Sequence, residues 1–457
     1  MERRRFERKG VFRKMNCKAK IMACLLTAAA GLGLTHVSAE AARHAADRGS
    51  DTIVDTSGTR GAHGFSGKTS EIRTDRTAPR SSTLNRTQKR ASEEAAAGGK
   101  TPVVNLADGS LRFNPTTQDM REWTVDTQDT GGTLIFSDSP EYVYTNGILY
   151  EDTVTGDARV LYYHLNNTGA RKKVAVVLQN EGKDVSVVRV TRGGSGRPSR
   201  DYLEVGKSTQ LAYFQKKRDD TVYVLSQEKR LLDPMMNEIV LEPGQLVYGV
   251  YDFHATGPVK VSVIMYPAVS DPLKFIKHAR VLPKDEQRLR GTFRGMDRVI
   301  SSKPYDPEKD GVVYIPIGDN RQDVFRTGVD ATDGSRVTNV GNYGVLYRIQ
   351  IPTVGREATQ YYLTPLGGVY AGAMSVDFGH GPNLLETPGG RAYFGDAIPP
   401  DSDADRAARL AGKDRLKEWA ELADLGSYHS SVQPSFELSP PGASNLPVQI
   451  ILMPAGE

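Results

Sequence analysis

The polar loop between Arg192 and Tyr202 contains the densest group of side chains that could bind a ligand. It interleaves three arginines, one aspartate and one tyrosine with three glycines, and Lys207 follows closely. Glycine lets backbone amides approach a ligand, arginine binds carboxylate or sulfate, and tyrosine stacks on sugars or peptides. We therefore predict a ligand-binding site made of Arg192, Arg197, Arg200, Asp201, Tyr202 and Lys207.

The same loop also has a purely structural interpretation. Its glycines and proline turn the chain, while Asp201 either pairs with Arg200 or caps neighbouring backbone groups. Loops on a β-sandwich often have functions, but most individual loops do not. Both interpretations stay open from the sequence alone.

Two motifs for covalent or phosphate chemistry are incomplete in this chain. Ser195 lies in a polar glycine run and lacks the Gly-x-Ser-x-Gly elbow of a hydrolase nucleophile. The run Gly206-Lys207-Ser208 matches the end of a phosphate-binding loop, but Asp201 stands where the opening glycine belongs. The sequence therefore predicts neither a serine nucleophile nor a nucleotide site.

Acidic side chains leave glycoside cleavage open as an alternative. That chemistry needs two carboxyl groups at a suitable separation, which only the fold can set. The candidate acids are Asp201 with Glu204, Glu141, Glu151 and Asp377.

The histidines and aspartates do not predict a metal site, and we expect no cofactor. None of the eight histidines forms a His-x-His or His-x-x-x-His pair. Asp401, Asp403 and Asp405 resemble the start of a calcium loop, but Arg406 replaces its turn glycine and Gly412 its bidentate glutamate. Capping of a following helix explains these aspartates better.

The sequence contains twenty tyrosines, which are further candidates for ligand contacts. They suit a surface that contacts carbohydrate or peptide, although tyrosine is also common in strands. The candidates in the C-terminal half are Tyr361, Tyr362, Tyr370, Tyr393 and Tyr428.

Short strand patterns dominate the chain after residue 100, so we predict a mainly β fold of two β-sandwich domains. Strand signals recur between Thr133 and Tyr266, Gln210–Phe214 among them, and turn residues separate them. This spacing favours an immunoglobulin-like sandwich over residues 101–285. Six strand signals between Val312 and Met453 predict a second sandwich or jelly-roll over residues 291–457, with one helical insertion from Asp401 to Leu425.

The N-terminal region has the pattern of an export signal. A basic segment precedes a short apolar run from Ile21 to Leu34, and small residues follow it. The run is shorter than the roughly 20 residues of a membrane span. We predict a signal peptide over residues 1–41, with Met1 or Met15 as the start, then a disordered tether over residues 42–100.

Removal of this signal would change both the charge and the cysteine content. Nine of the 59 basic and three of the 55 acidic residues lie in it, which leaves 50 against 52, and so do both cysteines. A mature chain near −2 does not suggest nucleic-acid binding. It would also lack disulfides, thiol nucleophiles and, after cleavage, any transmembrane segment.

Several segments of the first predicted domain resemble a known group of proteins. The segments are 147–152 (GILYED), 160–169 (VLYYHLNNTG), 198–207 (PSRDYLEVGK) and 212–214 (AYF). Over about residues 133–266, the chain resembles exported Firmicutes proteins described as copper amine oxidase-like. The resemblance implies an envelope protein of undefined role. It does not imply copper, because the cofactor tyrosine of that enzyme stands in Asn-Tyr-Asp/Glu and the nearest match is Asn342-Tyr343-Gly344.

These observations favour a non-catalytic protein that is secreted or associated with the bacterial cell envelope. The expected partner is cell-wall polymer, an extracellular glycan or another envelope protein. The alternative function is a secreted hydrolase that acts on glycans. A concave groove with two carboxyl groups would favour the enzyme, and an aromatic face without such a pair would favour binding.

Overall fold

The fold is mainly β, as predicted, and its sheets are open. The computed structural model describes residues 120–215, 217–395 and 422–455, which form twenty-two strands and three α-helices. The prediction of a mainly β, sandwich-type fold is thus confirmed. The predicted signal peptide, the tether and most of the helix expected from Asp401 lie outside the described residues.

Ten strands and one long helix form between residues 121 and 267. The strands are β1 (Arg121–Glu122), β2 (Asp126–Thr130), β3 (Thr133–Ser137), β4 (Tyr142–Val143), β5 (Gly147–Asn166), β6 (Lys172–Gln179), β7 (Ser186–Ser195), β8 (Lys217–Val224), β9 (Lys229–Leu231) and β10 (Leu246–Pro267). Helix α1 (Tyr202–Gln215) separates β7 from β8, and a 3₁₀ turn occupies Pro234–Glu238.

Twelve further strands and two short helices follow. The strands are β11 (Arg290–Arg294), β12 (Asp297–Ser301), β13 (Val313–Ile317), β14 (Arg326–Asp330), β15 (Ser335–Asn339), β16 (Leu346–Gln350), β17 (Thr359–Pro365), β18 (Gly372–Asp377), β19 (Pro382–Thr387), β20 (Ala423–Tyr428), β21 (Ser435–Leu438) and β22 (Val448–Pro454). The helices are α2 (Pro272–Phe275) and α3 (Pro307–Asp310).

The long strands β5 and β10 form the centre of the largest sheet. They pair antiparallel from Leu246 opposite Leu165 to Met265 opposite Gly147. The sequence predicted two shorter strands, Gly147–Tyr150 and Arg159–Leu165, in place of β5, because the residues between them are largely polar. Backbone hydrogen bonds do not depend on side-chain polarity, so the ladder continues through this middle.

Helix α1 replaces the strand predicted at Gln210–Phe214, and that prediction was wrong. The Asp201 carboxylate accepts a hydrogen bond from the Glu204 N–H at 3.1 Å and so caps the helix. Val205, Thr209 and Tyr213 are buried at a spacing of four, the helical period. A short apolar run is ambiguous by itself, whereas this cap and longer period are helical signals.

The glycines of the predicted loop allow helix α1 to lie directly on strand β7. A Cβ on Gly194 would come within 2.7 Å of the Ala212 Cβ, and one on Gly196 within 2.7 Å of the Val205 carbonyl oxygen. Gly206 faces the other way, where a Cβ would lie 2.2 Å from the carbonyl oxygen of Gly442. These glycines therefore allow the close packing of helix α1.

Three sheets organise the described strands. One has the order β1-β13-β22-β17-β20 and another the order β19-β18-β21-β16-β12-β2. The largest has the path β15-β14-β11-β3-β5-β10-β6-β9, with β4, β7 and β8 attached. Strands from both sides of residues 285–291 share each sheet. The division into domains over 101–285 and 291–457 stays a prediction.

The sheets enclose two large apolar cores. One lies around Val176 and Val263 within the largest sheet, and the other joins α1 and β3 to strands of the two smaller sheets. Leu425, predicted in the helical insertion, is instead buried in strand β20. Within the described ranges no helix is long and apolar enough to span a bilayer.

Candidate functional site

Arg192 and Lys207 of the predicted site form internal ion pairs. The Arg192 Nη1 donates to Glu437 Oε2 at 3.0 Å, and its guanidinium lies over the Tyr213 ring. The Lys207 Nζ lies 2.8 Å from Glu386 Oε2 and donates to the carbonyl oxygens of Pro388 and Arg391. Both cations therefore connect this region to other strands.

The remaining predicted residues lie at the surface end of α1. The Arg200 Nη2 donates to the Pro243 carbonyl oxygen at 2.9 Å, and Asp201 caps the helix. Arg197 is exposed, and its guanidinium has no polar partner among the described residues. Tyr202 is half-buried and lies close enough to Glu141 for that carboxylate to help burial raise its pKa. The ligand-binding role of the six residues stays a prediction.

Glu141, the acid near Tyr202, lines a crevice that the sequence did not identify as a unit. Two carboxyl groups, Asp138 and Glu141, share it with apolar and aromatic side chains. Its lining comprises Phe136, Asp138, Glu141, Leu161, Tyr163, Leu289, Tyr343, Gly442 and Ala443, and its interior measures about 30 Å³. We call this site the acid crevice. A space of this size holds one or two water molecules or a small substituent.

The turn between β3 and β4 positions the two acids. Asp285 stabilises this turn through hydrogen bonds. The Asp285 Oδ1 accepts from the Ser139 hydroxyl and Oδ2 from the Glu141 N–H, both at 2.8 Å. The Asp138 N–H donates to the Leu289 carbonyl oxygen at 3.1 Å. The turn is thus anchored at three points beside the acid crevice.

His164 also contacts this turn. It is fully buried. Its Nδ1 donates to the Pro140 carbonyl oxygen at 2.9 Å, because a carbonyl can only accept, and its Nε2 lies 2.8 Å from the Ser137 hydroxyl. Burial lowers the pKa of His164 to about 4, so the imidazole is neutral near pH 7.

Burial raises the pKa values of both carboxyl groups of the acid crevice. It raises the pKa of Glu141 to about 7, and the nearby Asp285 carboxylate adds to the effect. Burial also raises the pKa of Asp138 well above its usual range, with Glu141 and Asp285 as further causes. Asp138 Oδ1 is buried and has no hydrogen-bond partner among the described residues. At pH 6 and below, Glu141 therefore keeps its proton.

Tyrosines surround the two acids. Burial first, and then the charges of Glu141 and Asp138, raise the pKa of Tyr163. The Tyr343 hydroxyl donates to the Ser444 carbonyl oxygen at 2.6 Å, which orients its ring. A Cβ on Gly442 would lie 2.5 Å from the Tyr163 ring, so glycine is required for this close wall.

The predicted tyrosine surface is absent from the described part of the C-terminal half. Tyr361, Tyr362 and Tyr370 are buried in the core, where they pack against other rings and strands. Tyr428 is partly buried against the same core, and Tyr393 is the most exposed of the five at 39%. Tyr163 and Tyr343 instead line the acid crevice with Asp138 and Glu141.

The described ranges contain no group of three or more His, Asp, Glu or Cys side chains that could hold a metal ion. Asp401, Asp403 and Asp405 lie outside these ranges.

Glu141 was among the acids that the sequence nominated, but Asp138 was missed. A visible signal existed, since Asp138 and Glu141 flank a Ser-Pro turn directly after the apolar strand Thr133–Ser137.

Comparisons with known proteins do not add an assignment. No protein-family model matches the chain, and no curated protein matches its sequence.

Proposed function

We propose that this protein is a non-catalytic exported protein of the bacterial cell envelope that binds cell-wall polymer or another extracellular glycan at the acid crevice. The N-terminal signal pattern and the resemblance to exported copper amine oxidase-like proteins support export. The observation that supports binding is the combination of two hydrogen-bonding carboxyl groups with tyrosine rings in one crevice.

This combination suits a sugar better than an ion. Sugars present hydroxyl groups, which both donate and accept, and apolar ring faces, which pack on aromatic side chains. A carboxyl pair that shares a proton also donates and accepts, whereas two ionised carboxylates would only accept. The small interior admits one substituent, so the sugar ring itself would lie outside this interior.

A secreted glycan hydrolase is the second candidate, and the carboxyl pair is the observation that favours it. Asp138 would be the general acid, because burial raises its pKa well above the usual range, and Glu141 would be the base or nucleophile. Glycosidases separate the pKa values of their two acids by placing them in different environments. Here one apolar crevice raises both, so binding is the better-supported function.

Retention on polymers with product analysis separates the two candidates. We expect the purified protein to be retained on peptidoglycan or polysaccharide without release of soluble sugars. The double variant Asp138→Leu/Glu141→Leu should be retained at least about tenfold less, because it loses the hydrogen bonds of both acids. Release of reducing ends by the wild type would instead establish the hydrolase.

The matched control is the double variant Asp184→Leu/Glu238→Leu, in which both acids are exposed. It should be retained like the wild type, because neither acid lines the acid crevice. Equal retention of all three proteins would place polymer binding elsewhere on the molecule.

A further inference from the structure

The walls of the acid crevice differ in chemistry. Phe136, Leu161 and Leu289 form an apolar portion, and the carboxyl groups of Asp138 and Glu141 form a polar one. The buried Asp138 Oδ1 lacks a hydrogen-bond partner among the described residues, although buried polar atoms are nearly always paired. A ligand could donate a hydrogen bond to this oxygen atom and also cover the apolar portion of the wall.

Building on the proposed function, we propose that the acid crevice is a subsite for the acetamido group of an N-acetylated sugar. The group consists of one methyl, one N–H donor and one carbonyl acceptor. Its methyl would contact the apolar portion, and its amide would bind the two carboxyl groups. The interior of about 30 Å³ suits a substituent of this kind rather than a whole ring.

The hydrogen-bonding capacity of the pair matches an amide. A protonated carboxyl group donates to the amide carbonyl oxygen, and the neighbouring carboxyl oxygen accepts from the amide N–H. The raised pKa values of Glu141 and Asp138 keep a proton available near neutral pH. An anionic substituent is disfavoured, because Asp138, Glu141 and Asp285 would repel it.

The other groups near the pair are compatible with this ligand. Tyr163 and Tyr343 face the acids from β5 and from the segment between β15 and β16, and Tyr202 faces Glu141 from α1. Arg200, also near Tyr202, donates to the Pro243 carbonyl oxygen. Tyrosine rings are suitable surfaces for the sugar that bears the acetamido group.

Titration calorimetry of the full chain at pH 6 tests the proposal with three soluble trisaccharides. They are the β-1,4-linked trimers of N-acetylglucosamine, glucosamine and glucose. We expect the acetylated trimer to bind at least about tenfold more tightly than either of the others, since only it forms two amide hydrogen bonds and buries a methyl. Tighter binding of the glucosamine trimer would show that the acids attract a cation, and would overturn the proposal.

Two variants assign that preference to the acid crevice. Asp138→Leu should weaken binding of the acetylated trimer about tenfold, while Glu141→Gln should retain it within about threefold, because glutamine still donates and accepts. Asp184→Leu and Glu238→Gln are the exposed controls. Asp138→Ala replaces Asp138→Leu if the latter does not show a cooperative thermal transition, because alanine also lacks a hydrogen-bonding group.

The outcomes also separate this proposal from the proposed function. Equal affinity for the acetylated and glucose trimers, with continued retention on polymer, would refute the acetamido subsite alone. If the wild-type protein is not retained on any of the polymers, polymer binding itself is refuted. Full retention of the acetylated-sugar preference in both Asp138 variants would place the subsite outside the acid crevice.

Discussion

The acids Asp138, Glu141 and Asp285 lie close together but have different environments. Asp285 accepts hydrogen bonds from Ser139 and from the backbone of Glu141, so its lone pairs are used in holding the turn. Asp138 and Glu141 instead face the crevice, where burial favours their neutral forms. The environment, rather than the residue type, makes one acid structural and the other two available to a ligand.

The titration of Glu141 should be visible in the stability of the protein. Its pKa is raised from 4.5 to about 7 in the folded state, so its contribution is fully present below about pH 4.5 and is lost as pH rises through 7. Relative to Glu141→Gln, the wild type should lose up to about 3 kcal/mol of unfolding free energy between pH 4.5 and 8. Urea unfolding at several pH values measures this difference.

The control for this measurement is Glu238→Gln, since Glu238 is exposed. Its difference from the wild type should stay nearly constant over the same pH range. Parallel stability curves for the wild type and Glu141→Gln would show that Glu141 titrates as an ordinary surface glutamate.

Helix α1 is the element that connects the predicted loop with the rest of the molecule. Its N-terminal residue Tyr202 lies near Glu141, and its middle residue Lys207 pairs with Glu386 of β19. The close approach of Gly206 to Gly442 places the helix against the chain segment that also lines the crevice. The helix therefore links the acid crevice to the edge strand β19.

Replacement of Lys207 should loosen the β19 region. Lys207→Met keeps the aliphatic stem but removes three polar contacts, to Glu386, Pro388 and Arg391. We expect a loss of about 1–3 kcal/mol of stability and faster amide hydrogen exchange over residues 382–391.

The comparison for this variant is Lys217→Met, which removes an exposed lysine at the start of β8. Exchange over residues 382–391 should not change in it. If Lys207→Met also leaves that exchange unchanged, the ammonium contacts do not hold β19.

At the scale of the whole molecule, ion pairs connect the sheets, and Arg192–Glu437 is one of these pairs. Arg192 on β7 belongs to the largest sheet, and Glu437 on β21 belongs to the six-stranded sheet. Both side chains are largely buried, and Glu437 also accepts from Arg348. A pair in this setting is coupled more strongly than a pair at the surface.

A double-mutant cycle with Arg192→Met and Glu437→Gln should show this coupling. We expect an interaction free energy of about 1–3 kcal/mol from chemical denaturation. The exposed pair Arg189–Asp219 provides the reference cycle, and its coupling should be smaller because solvent screens it. Equal coupling in both cycles would contradict a role for Arg192 in holding the sheets together.

The sequence by itself determined the fold class and several of the strands. Alternating and β-branched segments such as Val448–Met453 identify buried strands, because their pattern depends only on nearby residues. It also supplied Glu141 and Tyr202 as candidates, since their chemistry follows from residue type. Local patterns were insufficient at Gln210–Phe214, where a short apolar run is compatible with either a helix or a strand.

Only the tertiary structure decided which of these residues meet. Arg192 and Glu437 are 245 positions apart, so no local pattern shows that the arginine has an internal partner. Asp138 and Glu141 gain their raised pKa values from walls contributed by distant segments, including Leu289, Tyr343 and Gly442. Burial and long-range contacts are properties of the folded chain, which is why the acid crevice could not be identified from the sequence.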